Sequence, residues 1–158
     1  MSGVNSINWI RIILKLFYYF YIFYKCNKKD SIVVSVPTGN FGDVYAGYVG
    51  KQMGLNIKNL IVATNQNNIL ERCIKSGEYK PLEVVGSISP SMDIQVASNF
   101  ERILFYLCKQ NSDELSNLMN DLKTKGFFNL SQTQLKNLQK DFSASSCSED
   151  ETLEIIRD

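Results

Sequence analysis

Where a β-branched run (Ile32 to Val36) gives way to a helix-like one, the chain reads Pro37-Thr38-Gly39-Asn40-Phe41-Gly42-Asp43. Two glycines and an asparagine at a strand-to-helix turn are the residue types of an anion site. The first N–H groups of a helix have no partner within it, and the helix dipole favours negative charge there. Glycine lets the backbone approach a ligand closely and take up positive φ. Gly39, Asn40, Phe41 and Gly42 are therefore candidates to cradle a phosphate. Asp43 would repel a phosphate with its side chain, so it is assigned a backbone N–H or cap role. The turn matches neither common phosphate motif. GxGxxG is absent, and GxxxxGK[ST] fails because Gly42 and Gly47 are followed by Tyr48. From the residues alone, a tight turn holding no ligand is an equally open reading.

Composition removes several chemistries. The chain has 158 residues and no histidine, so Ser-His-Asp and Cys-His machinery cannot be built from it. Its four cysteines, Cys26, Cys73, Cys108 and Cys147, are widely spaced with no CxxC pair. No metal site is expected, and the thiols read as reduced, in cytosol or an organelle. A net charge of +1 implies no polyanion partner, and the length fits one domain.

The elements that must carry the turn follow from pattern. Residues 7–24 (INWIRIILKLFYYFYIFY) are strongly apolar. A spanning helix needs about 20 mainly apolar residues, but Arg11 and Lys15 interrupt this run and no small-residue cleavage site follows. It reads as an interior helix of a larger α/β protein, ending in the polar turn NKKDS. Ile32 to Val36 reads as a strand buried on both faces. Asp43 to Met53 reads as a helix whose small residues, Ala46, Gly47 and Gly50, permit close packing, with Gly54 just past its end. Residues 58–64 form a second strand and 67–75 a second helix closed by Ser76-Gly77. The order implies a right-handed βαβ unit with parallel strands. Beyond Pro81 the chain is loop-rich. From Asn99 it turns helical, with Phe100, Ile103, Leu104 and Leu107 on one face, and further amphipathic pieces at 114–125, 131–142 and 149–156. SASSCSEDE reads as a polar linker with Ser148 as an N-cap. The expected fold is α/β: a partial three-layer βαβ unit with parallel strands, followed by a mainly helical C-terminal part. Its divisions are 1–30 (helix), 31–80 (phosphate-binding unit) and 81–158 (loop plus helices).

Four blocks, in order, resemble threonine synthases and threonine synthase-like proteins: VNSINWIRI (4–12), VPTGNFGDVYAGYVGKQMGL (36–55), LIVATNQNNIL (60–70) and SPSMDIQVASNFERILF (89–105). The resemblance covers nearly the whole chain but only a middle portion of the family's usual length. It implies a pyridoxal 5′-phosphate enzyme of fold type II, the tryptophan-synthase-β type, converting O-phosphohomoserine and water to threonine and phosphate. It implies that Gly39, Asn40, Phe41, Gly42 and Asp43 line the cofactor's phosphate, largely through backbone N–H groups. Asn5, Ser6 and Asn8 match a block near the family's active site and are substrate-side candidates, with a plain N-cap the favoured reading of their side chains. Lys15 stands where the family has a neutral polar residue, and Ile10 where it has alanine.

The family's Schiff-base lysine lies upstream of these blocks, and no lysine here sits in a matching motif, so no catalytic residue is assigned and the isolated chain is expected to be inactive. The tail, KNLQKDFSASSCSEDETLEII, resembles the animal threonine synthase-like proteins more than the microbial enzymes. That resemblance leaves two other readings open: a phospho-lyase acting on phosphorylated hydroxy-amino acids, or a truncated paralogue that only binds. A membrane role for the aromatic N-terminus ranks last. The expected partners are a small phosphorylated amino acid and the remaining parts of the same fold, or a protein covering its exposed strands. No nucleic acid or membrane partner is expected. The expected compartment is cytoplasmic, with mitochondrial as the alternative.

Overall fold

The computed structural model describes residues 5–26 and 30–157. Val4 and most of the NKKDS turn lie outside the described residues. In chain order the elements are α1 (Trp9–Lys25), β1 (Ile32–Pro37), α2 (Gly42–Gln52), β2 (Ile57–Thr64), α3 (Ile69–Ser76) and β3 (Glu78–Tyr79). After a 3₁₀ turn at Pro90–Met92 come α4 (Phe100–Leu107), α5 (Ser112–Lys125), β4 (Phe128–Asn129), α6 (Gln132–Asp141), β5 (Phe142–Ser146) and α7 (Glu149–Arg157).

The main sheet is parallel, in the order β1-β2-β5. Its register aligns Val34 with Leu60 and Leu60 with Phe142, so one row of large side chains crosses the sheet. That row faces the core: Leu60, Val62 and Phe142 are buried, as are Val44 and Ala46 of α2. A short antiparallel pair, β3 with β4, closes the helical end. There Tyr79 stacks on Phe128 and Phe100, with ring centroids 4.8 and 5.4 Å apart.

Two expectations are corrected. β1 is not buried on both faces: Val33, Ser35 and Pro37 are exposed while Val36 is buried. It is an edge strand, and no described element covers its second face. The expected linker around Ser143 to Ser146 is the third strand of the sheet. Its polar side chains project mostly outward, and it exists because β2 offers a free row of backbone groups. Propensity for a strand is weak beside the need to satisfy a buried sheet edge. Ser148 does cap α7, accepting from the Glu151 N–H at 3.2 Å while Glu151 Oε2 accepts from Ser148 N–H and O–H.

Helix α1 lies on α2 through Ile12, Leu16, Tyr19 and Phe23, a single helical face. The contact is close because α2 carries glycines. A Cβ on Gly47 would stand 2.6 Å from the Tyr19 ring and 2.9 Å from Leu60, and one on Gly50 would stand 2.9 Å from Leu55. The opposite face of α1 is apolar yet exposed: Phe17 is 67 % and Tyr18 68 % accessible, with Ile10, Leu14 and Tyr21 beside them. No helix among the described residues is long and apolar enough to cross a membrane.

Substituting Gly47→Ala forces the Tyr19 ring and Leu60 apart. The expected loss is about 1–3 kcal/mol of unfolding free energy, read as a lower urea midpoint with unchanged slope. An unchanged midpoint would show that α1 does not hold this close packing.

A candidate phosphate-binding pocket

The turn between β1 and α2 lines a cavity of about 390 Å³. Gly39, Asn40, Phe41, Gly42 and Asp43 form one wall, so all five loop candidates come together. Across from them α1 contributes Arg11 and Lys15, and the preceding segment contributes Ser6. Ser91 and Met92 of the 3₁₀ turn close the side.

Thr38 ends the strand ladder, its N–H donating to Ala63 O at 2.7 Å. The next backbone bond is that of the first helical turn, Tyr45 N–H to Phe41 O at 3.0 Å. Between them, the N–H groups of Gly39 to Val44 make no hydrogen bond within the described residues. Six consecutive unpaired donors at a helix N-terminus are the feature that makes the turn a candidate anion site.

The left-handed residue in this turn is not a glycine. Gly39 and Gly42 keep ordinary φ values, and Phe41 takes φ 63°. A bulky residue there is strained, at a cost of order 1–3 kcal/mol. Its ring offsets the strain. It is 1 % exposed and packs edge-on to Phe100 at 5.1 Å and against Phe142 at 5.5 Å. The glycines serve close approach instead: a Cβ on Gly39 would lie 2.8 Å from Ser91 O and 2.9 Å from Ile94 Cδ1.

Asp43 makes no side-chain cap; Phe41 occupies the N-cap position and no side chain bonds there. The Asp43 carboxylate sits 3.7 Å from Lys15 Nζ, and its carbonyl accepts from the Tyr19 hydroxyl at 3.0 Å. Burial, followed by the Asp43 charge, pushes the Tyr19 phenol far above its ordinary value, so it remains a donor at any physiological pH.

The three substrate-side candidates divide. Asn8 caps α1 by accepting from Ile10 N–H at 2.9 Å, and Asn5 accepts from Ile7 N–H at 3.2 Å. Both do the local work of a helix start. Only Ser6 reaches the cavity. Arg11 and Lys15 were missed as site residues. Their signal was available: two cations one turn apart in an otherwise apolar helix must share a face.

The strap from Val85 to Gln95 is held over the turn by Asp93. Its carboxylate accepts from Ser87 N–H and Oγ at 2.9 and 2.7 Å, from Asn65 Nδ2 at 2.7 Å and from Asn67 Nδ2 at 3.0 Å. These donors, the Ser87 hydroxyl foremost, hold the carboxyl below its ordinary value. A depressed folded value means the contribution to stability is present above the unfolded value, about 3.9, and is lost as pH falls through the folded one. The stability gap between the chain and its Asp93→Asn variant is therefore expected to be largest above about pH 5 and to shrink below about pH 4, as read by denaturant melts at each pH. A gap independent of pH would remove Asp93 from that role.

No family model matches the chain. Threonine synthase of Saccharomyces cerevisiae is 45 % identical over 170 residues, 99 % of this chain. The Pseudomonas aeruginosa threonine synthase is 41 % identical over 99 % of the chain, and threonine synthase-like 1 of Macaca fascicularis 34 % over 99 %. Identity is thus higher to the fungal and bacterial enzymes than to the animal protein, opposite to what the tail alone implies. Among solved structures, PLP-bound threonine synthase from Brucella melitensis superposes with a TM-score of 0.92 at 47 % identity, covering 96 % of this chain. Yeast threonine synthase superposes with a TM-score of 0.90 at 44 % identity and 99 % coverage. The chain spans about a third of the length of these enzymes, and 22 % of the animal protein.

Proposed function

This chain belongs to the threonine synthase family, and from that premise we propose that its pocket holds the phosphate of pyridoxal 5′-phosphate. The observation that carries the reading is the run of unpaired amides from Gly39 to Val44, of which Gly39 to Asp43 line a cavity of about 390 Å³. The donor set fits a phosphate monoester. Amide dipoles supply a fixed positive wall, and Arg11 and Lys15 supply mobile positive charge opposite. The neighbouring Asp43 carboxylate is drawn toward Lys15 and does not cap the turn.

When bound, the cofactor supplies an electron sink for breaking bonds at a substrate's α- and β-carbons. The residues of this chain bind and orient it. The glycine turn fixes the phosphate, Phe41 fixes the turn, and the Tyr19 hydroxyl fixes the Asp43 carbonyl in the first turn of α2. The reaction we propose for the enzyme that contains this segment is conversion of O-phosphohomoserine and water to threonine and phosphate. Its support is the higher identity to threonine synthases. A second reading, elimination of phosphate from a phosphorylated hydroxy-amino acid, draws on the threonine synthase-like relative. Detection of threonine as against a 2-oxo acid separates the two.

The exposed outer face of α1 and the free edge of β1 are the surfaces we assign to the remaining parts of the fold. By itself the chain is proposed to bind without turning over substrate. Its four unpaired cysteines support a reducing compartment, cytoplasmic or mitochondrial.

Titrating inorganic phosphate or pyridoxal 5′-phosphate into the chain tests the pocket. Binding is expected, and Gly39→Ala is expected to weaken it about tenfold or more, because the turn must shift away from Ser91 O and misalign several charge-assisted bonds. Equal affinity in wild type and variant would sink the reading. A Phe17→Lys, Tyr18→Lys pair is expected to reduce self-association of the isolated chain in sedimentation, because it breaks up the exposed apolar face of α1.

A further inference from the structure

Asn40 lines the cavity, and its carboxamide has two ends of opposite character. The oxygen would repel a phosphate; the amino group would bind one. Residue 98 decides which end faces in. Its backbone N–H lies 3.4 Å from Asn40 Oδ1. A backbone N–H can only donate, so the atom turned toward it must be the carboxamide oxygen. The Ser98 hydroxyl donates to the same Oδ1 at 3.1 Å, the shorter bond of the two. With its proton committed there, Ser98 Oγ is free to accept, and Ser6 Oγ lies 3.1 Å away as donor. The result is a one-way chain of hydroxyls, Ser6 to Ser98 to Asn40. Buried Asn99 braces it. Its N–H and Nδ2 both donate to Asn40 O at 3.1 Å, and Nδ2 also reaches Ser6 O at 2.9 Å. Asn40 Nδ2, by contrast, makes no hydrogen bond among the described residues.

We propose that Ser98 is a positioning residue for the phosphate pocket: by occupying Asn40 Oδ1 it presents the Asn40 amino group to the cavity as an additional donor to a phosphate monoester. Ser98 does not itself line the cavity and acts only through Asn40. The inference rests on the phosphate reading of the pocket.

The test is calorimetric titration of inorganic phosphate into the full chain and its Ser98→Ala, Ser98→Thr, Asn40→Ala and Asn40→Ala/Ser98→Ala variants. Ser98→Ala removes the shorter of the two bonds to Asn40 Oδ1 and leaves only the 3.4 Å contact from the backbone N–H; it is expected to weaken binding about three- to tenfold, part or all of the worth of one hydrogen bond to a charged ligand. Ser98→Thr keeps the hydroxyl and is expected to stay within about twofold of wild type. In the Asn40→Ala background, Ser98→Ala is expected to change nothing further, a non-additivity that a general loosening of the turn would not produce. Wild-type affinity in Ser98→Ala, or an equal loss in both backgrounds, overturns the role of Ser98 while leaving the pocket intact. A wild-type chain that takes up no phosphate overturns the phosphate reading, and the role of Ser98 falls with it.

Discussion

The site depends on one strained residue held in place by packing. Phe41 adopts a left-handed backbone that a bulky side chain rarely takes, and its ring is wedged between Phe100 of α4 and Phe142 of β5. The strain and the wedge are of the same order, a few kcal/mol. The geometry therefore persists only while α4 and β5 are in place. That twist lies in the middle of residues 39–43, whose backbone lines the cavity. A helix N-terminus alone would leave its donors along the axis; the left-handed step before it makes a concave surface.

Around this wedge the fold supplies two clamps of different kinds. On one side the α1–α2 contact, made close by Gly47 and Gly50, brings Arg11, Lys15 and the Tyr19 hydroxyl to the start of α2. On the other, the strap tied down by Asp93 presses Ser91 O onto Gly39, where no Cβ would fit. The first clamp is apolar, with its charged groups at the rim. The second is a polar network whose members are all satisfied. Neither clamp is local in sequence. The strap's Asp93 lies 26 residues or more from its partners on the Asn65–Asn67 turn, and α1 precedes the turn it supports.

The two faces of the molecule contrast. Toward α2 the sheet is covered and its row of large residues is buried. Away from it, Val33 and the outer side of α1 stand in solvent. The chain spans about a third of the threonine synthases it resembles, and the superposition on them is close over nearly all of its length. An interior aromatic helix and an edge strand with apolar side chains have the composition of buried elements without the cover. This is why Tyr-rich α1 reads in the sequence as interior but is half in water here.

Elements whose signals are local could be read from the chain alone. The strand–turn–helix around Gly39 to Asp43, the helices α2 to α6, the Gly54 and Gly77 ends and the Asn8 and Ser148 caps all follow from periodicity and capping chemistry. The family blocks were legible for the same reason: they are contiguous words. Features that depend on distant partners emerged with the three-dimensional fold. The fold made the polar Ser143–Ser146 stretch part of strand β5, because β2 had an unpaired row of backbone groups to fill. It put the positive φ on Phe41 instead of a glycine, because two rings far along the chain hold that side chain. It gathered Arg11, Lys15 and Ser6 into the pocket and left Asn8 as a cap and Asn5 in the turn before it, since the direction of a helix face toward a cavity is set by what the helix packs against, which no local pattern encodes.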